Sequence, residues 1–153
     1  MRYTYNLMEE YVKKMYNTIG IYHPHQLDME SIASRLGAML IYLPYRSMTM
    51  RNAILIDDRL TECQKWQEFG HELCHVEWHD GNQRVLPPAY LEYQEWKADS
   101  FAQHACVPTF MLDRITLPSN QNKAIWTIQE TFKVERSFAE KRLQQYINNN
   151  KRY

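Results

Sequence analysis

Between residues 4 and 19 the apolar side chains Leu7, Met8, Tyr11, Val12 and Met15 recur at helical spacing, and Gly20 follows as a stop. A first helix is predicted there. Asp28 is placed to cap a second helix that turns Ile32, Ala33 and Leu36 inward, with Gly37 ending it in a left-handed turn. The run AMLIYLP (38–44) reads as a buried strand closed by Pro44, and NAILIDD (52–58) reads as another. Strands so close in sequence are expected to pair as a meander or hairpin, across a polar connection. Thr61 and Gln64 match a capping box, after which Trp66, Phe69, Leu73 and Val76 share one side of a helix running to about His79. DGNQRVLPP (80–88) is a loop by its turn residues, and a helix from about Ala89 to Ala105 should bury Trp96, Phe101 and Ala105 before Pro108 ends it. TLPSNQN (116–122) breaks the chain again, ahead of shorter helices from Ile125 to Phe132 and from Ser137 to Ile147. The tail NNNKRY is expected to fray. This order predicts an α+β fold, mostly helical, with a small antiparallel or mixed sheet.

Composition adds limits. At 153 residues the chain is the size of one domain, and 18 basic residues balance 18 acidic ones, so no global field draws it to nucleic acid or a membrane. No apolar run approaches the length of a membrane span, and MRYTYNLMEEYVKK lacks an apolar signal core, so a cytoplasmic protein is expected. Cys63, Cys74 and Cys106 fit reduced thiols that pack as small hydrophobes.

The stretch FGHELCHVEWHDG (69–81) changes the picture. His71, Glu72 and His75 spell HExxH, which on a helix stacks both imidazoles on one face, where they can share an ion. Glu72, rotated by about a hundred degrees, is placed to reach a water on that ion. The alternative is a solvated polar helix face. Against it stands the phase of the helix, whose apolar side is separate from the side that carries both histidines. Catalytic zinc usually takes a third protein ligand. His79 lies roughly 6 Å further along the axis, awkward for one tetrahedral ion, and Gly81 occupies the position where the metzincin spacing needs a histidine. The next helix offers Glu92, Glu95, Asp99 and His104. Glu95 and Asp99 lie four apart on one face, so one carboxylate could bind the ion while the other accepts the N–H of a ligating histidine.

HELCH followed by EYQEWKADSFAQHACVP (92–108) resembles the ImmA/IrrE family of metallopeptidases, in which HExxH precedes a helix of the form ExEA(N/D)xFA and a proline corner. Glu95, Ala98, Asp99, Phe101, Ala102 and Pro108 match. LDMESIASRLGAMLIYLP and NAILIDDRL are similar to the family's lead-in of helix, strand and strand, and IQETFKVERSFAEKRLQQY to the short helices that follow its core. The chain departs from the pattern at Cys74, where a glycine is common, and at Lys97, where a second glutamate is.

The resemblance implies a zincin-like minimal metallopeptidase core. It implies Zn2+ held by His71, His75 and Glu95, Glu72 as general base and Asp99 supporting a ligand. Tyr90, Tyr93, His79 and His104 are the candidates for stabilising an oxyanion. It also implies a narrow substrate, a helix-turn-helix repressor of a phage or mobile element, cleaved to relieve repression. Two rivals stand beside this: an anti-repressor that docks on the repressor without cutting it, and a DNA-binding regulator that uses the C-terminal helices, whose segment from residue 121 is basic. A core over 1–117 is expected, with a helical appendage over 118–153 packed on it in a single domain. Ile125, Ile128, Phe132, Val134, Phe138, Leu143 and Ile147 offer more apolar surface than two short helices can bury together, so part of the appendage is expected to remain for docking a partner.

Overall fold

A computed structural model describes residues 5–78 and 88–150; for residues 78, 88–96 and 150 it describes the backbone alone. The predicted loop over 80–88 therefore lies almost wholly outside the described residues, as do His79 and the end of the tail.

Helix α1 (Leu7–Thr18) begins at Asn6, whose side chain accepts from the Glu9 amide at 2.8 Å while the Glu9 carboxylate accepts from the Asn6 amide at 2.9 Å. A 3-10 turn over Pro24–Gln26 follows, and His23 and His25 stack on it at the surface, 5.6 Å between ring centroids. Helix α2 (Met29–Arg35) is capped by Asp28, as predicted, and Gly37 at φ +78° turns the chain into the sheet.

The sheet departs from expectation. Strands β1 (Met39–Leu43) and β3 (Ala53–Asp57) do pair, but in parallel, Met39 opposite Ala53 and Leu43 opposite Asp57. A third strand, β2 (Met48–Met50), lies within the segment read as a polar connection and pairs antiparallel with β3, giving the order β1-β3-β2. The connection doubles back to become an edge strand, and that reversal lets β3 run in the direction of β1. The result is a mixed sheet, within an α+β zincin-like fold.

Helix α3 (Glu62–Trp78) starts with the predicted reciprocal pair: the Gln64 amide donates to the Thr61 hydroxyl at 3.2 Å, and the Thr61 amide to the Gln64 side chain at 3.1 Å. Trp66, Phe69 and Leu73 are buried. Helix α4 (Pro88–Cys106) packs along α3 in the most extensive contact between helices. Gly70 permits the approach. A Cβ there would lie 2.8 Å from the Cys106 sulfur and 3.2 Å from the Ala102 Cα. Cys74 and Cys106 are buried and Cys63 is half-buried, and none of the three forms a disulfide among the described residues.

After Pro108 a single turn, α5 (Thr109–Leu112), intervenes where the sequence pattern gave no element. Helix α6 (Gln121–Phe132) starts at an Asn120 cap rather than at Ile125, and α7 (Arg136–Asn150) runs past Ile147 through the asparagines expected to fray. The Gln144 side-chain amide, donating to the Asn148 side chain at 3.0 Å, supports that last turn. The appendage also differs in what it leaves exposed. Ile125, Ile128, Phe132, Val134 and Leu143 all enter the same buried cluster as Val12, Phe69 and Phe101, with Phe138 and Ile147 packed against it. Its apolar residues are used on the core, and Trp126 alone among its large apolar side chains in the described residues stands exposed.

Candidate metal centre

The site rests on the third turn of α3, where burial of Phe69 and Leu73 turns His71 and His75 toward α4. Their Nε2 atoms are 3.4 Å apart, and the ligand atoms of His71, Glu72 and His75 all lie within 4.8 Å of one another. From α4, Asp99 places a carboxylate oxygen 2.8 Å from His71 Nδ1. A carboxylate only accepts, so His71 Nδ1 carries the proton and Nε2 presents a lone pair toward His75. Two nitrogens bound at about 2.0–2.1 Å to one tetrahedral ion would sit about 3.3–3.4 Å apart. The observed spacing, with the tautomer that Asp99 favours for His71, fits a zinc-like cation.

Glu72 is buried beneath β2. The Thr49 hydroxyl lies 3.2 Å from a Glu72 carboxylate oxygen and 3.1 Å from the Glu72 carbonyl oxygen, and can donate to either. Thr49 is the residue the sequence reading missed. Its strand is three residues long, too short to show a period, and the Met-Thr-Met alternation was the only sign of it.

Of the residues picked out in the sequence, the structure brings together His71, Glu72, His75 and Asp99. It places His104 in the packing between α4 and α7, buried, with Nδ1 donating to the Ser100 carbonyl at 2.9 Å. Burial, and then the nearby Arg142 guanidinium, hold this imidazole neutral down to a pKa of about 3. It is a packing residue. Glu95 stands on α4 one turn before Asp99, and its side chain, like those of Tyr90, Tyr93 and Glu92, lies outside the described residues, as does His79. No helix among the described residues is long and apolar enough to cross a membrane.

A small mixed sheet, a helix bearing histidines four residues apart with an acid between them, and a second helix supplying a carboxylate to one imidazole together define a zincin-like protein. The chain belongs to the peptidase M78 family, whose model, described as the IrrE N-terminal-like domain, matches residues 23–144. Among its relatives, the uncharacterized protein YqaB of Bacillus subtilis (strain 168) is 36% identical over 150 residues, covering 95% of this chain and 87% of that protein. The phage-like element PBSX protein XkdA of the same strain is 38% identical over 143 residues, covering 91% of this chain and 72% of that protein.

Proposed function

We propose that the protein is a zinc-dependent endopeptidase that cleaves a helix-turn-helix repressor of a phage or mobile element. The observation that carries the reading is the pair of imidazole nitrogens 3.4 Å apart with the His71 tautomer fixed by Asp99. His71 and His75 would hold the ion with Glu95, which shares the Asp99 face of α4. When bound, zinc would acidify a water and polarise a peptide carbonyl. Glu72 accepts the proton from the attacking water and returns it to the departing amine, and the Thr49 hydroxyl keeps its carboxylate turned to that task. The repressor as substrate rests on the family and on the phage-like element named for XkdA.

The reading predicts one zinc per chain, lost in Glu95→Gln and kept in Glu72→Gln. Glu72→Gln should slow cleavage of the repressor by at least ~100-fold. Metal analysis beside a cleavage assay checks both. Undiminished zinc in Glu95→Gln would place the third ligand elsewhere, and full relief of repression by Glu72→Gln would make the protein a docking anti-repressor instead. Regulation through DNA contact by the C-terminal helices finds less support: Arg142 is fully buried and Arg136 is held by the Asn122 side chain at 3.0 Å.

A further inference from the structure

The two faces of the sheet differ in what covers them. Leu40, Ile54 and Ile56 turn toward α2 and α3 and join the core, and Thr49 turns the same way, to Glu72. On the opposite face the strands align two apolar rows in register, Met39–Ala53–Met50 and Ile41–Leu55–Met48. Among the described residues, none of these six side chains belongs to the core or packs against it. Met39 and Met50 are each 57% exposed and Met48 is 48% exposed. Leu43 continues the face toward Asp57.

Up to Asp57, the strands and turns that form this face carry charge of one sign. From residue 38 to 56 the sequence carries no Asp or Glu, and its charged residues are Arg46 and Arg51, exposed at either end of β2. Neither has a carboxylate partner among the described residues. Asp57, the acid at the edge of the face, is already held by Arg59 through bonds of 2.8 and 2.9 Å, and Asp58 begins the turn beyond it.

We propose that the outer face of the sheet docks an amphipathic helix of a partner protein, with carboxylates beside its apolar stripe. Three strands set about 4.8 Å apart make a face roughly 10 Å across, the diameter of one helix. Arg46 and Arg51, up to ~17 Å apart along the chain, match acidic side chains two to three turns apart on that helix. Methionines on both outer strands give the face an adaptable surface, as suits binding to a stripe made elsewhere. A second copy is a poor occupant. Across a two-fold contact of this face with itself it would bring the same two arginines to the contact, like charge against like. The inference needs neither the metal nor the peptidase reading, so the two can fail separately.

The test uses the full chain and labelled helical peptides of about 18 residues that share one leucine stripe, flanked in one by glutamates and in the other by lysines, read by fluorescence anisotropy. The Glu-flanked peptide should bind at least about tenfold more tightly than the Lys-flanked one. Met39→Ser with Met50→Ser should weaken that binding by about tenfold, and Arg46→Glu with Arg51→Glu should invert the preference between the peptides. If the serine pair does not fold, the charge-reversal pair, altered only at exposed positions, decides alone. Binding indifferent to flanking charge overturns the proposal. So does a dimer in sedimentation that the serine pair abolishes, and so does binding of vesicles containing phosphatidylglycerol with no binding of either peptide.

Discussion

At the scale of single residues, the chain uses its histidines in opposite ways, and surroundings decide which. His71 has a carboxylate at Nδ1 and shares its Nε2 side with a second imidazole, an arrangement that presents a ligand. His104, on the neighbouring helix, is enclosed by packing and a guanidinium, an arrangement that forbids charge. In the unfolded chain its pKa returns to 6.5. The folded value is the lower one, so the stability that neutral His104 contributes is complete above about pH 6.5 and is lost as pH falls toward about 3, by at most ~1.4 kcal/mol per unit. In urea titrations, the stability gap between the natural chain and His104→Gln should therefore narrow from pH 7 to about pH 4.5. Parallel stability curves would show that burial does not hold this group neutral. HExxH was legible because its ligands are local in sequence, but the fate of His104 was not, since it depends on what α7 lays over it.

At the scale of elements, the site exists because α3 and α4 come close. Gly70, immediately before His71, lets them do so against Ala102 and Cys106. In Gly70→Ala the Cys106 sulfur would have to move and the Ala102 backbone to give way, an overpacking cost of roughly 1–3 kcal/mol set against up to about 1 kcal/mol gained in helix propensity. The variant should melt lower and, on the zinc reading proposed above, bind zinc about tenfold more weakly, because Asp99 is carried away from His71. Adding Cys106→Ala should restore part of both losses in melting and metal titrations. No recovery would mean that the sulfur is not what limits the approach. The longer helices and two of their caps could be read from the sequence, since Asp28, Thr61 and Gln64 act within a turn of themselves. Strand β2, the parallel pairing and the Thr49 contact could not, because pairing across a sheet depends on partners that no local window contains.

At the scale of the whole molecule, α1 and α7 meet just past the end of α4 in a buried polar network. Fully buried Arg142 of α7 donates from Nε to the Val107 carbonyl at 2.9 Å and from Nη2 to the Thr109 hydroxyl at 2.6 Å. Thr109 donates in turn to Glu9 of α1, itself buried, at 2.5 Å. In the sequence Arg142 is one of the residues that make the segment from 121 basic, and nothing within its own helix marks it as buried. Arg142→Ala should cost roughly 3–5 kcal/mol, because it opens a cavity and leaves the buried Val107 carbonyl and Thr109 hydroxyl without their donor. Arg142→Met combined with Glu9→Gln should cost less than the two single changes added together, as read by urea unfolding. A loss near zero in Arg142→Ala would mean that water reaches the network. The carbonyl that Arg142 holds lies just past the end of α4, the helix that carries Asp99. Folding of the chain therefore cannot finish locally: the far end of the helix that carries Asp99 is tied down only when a guanidinium 35 residues further along the sequence has docked beside it.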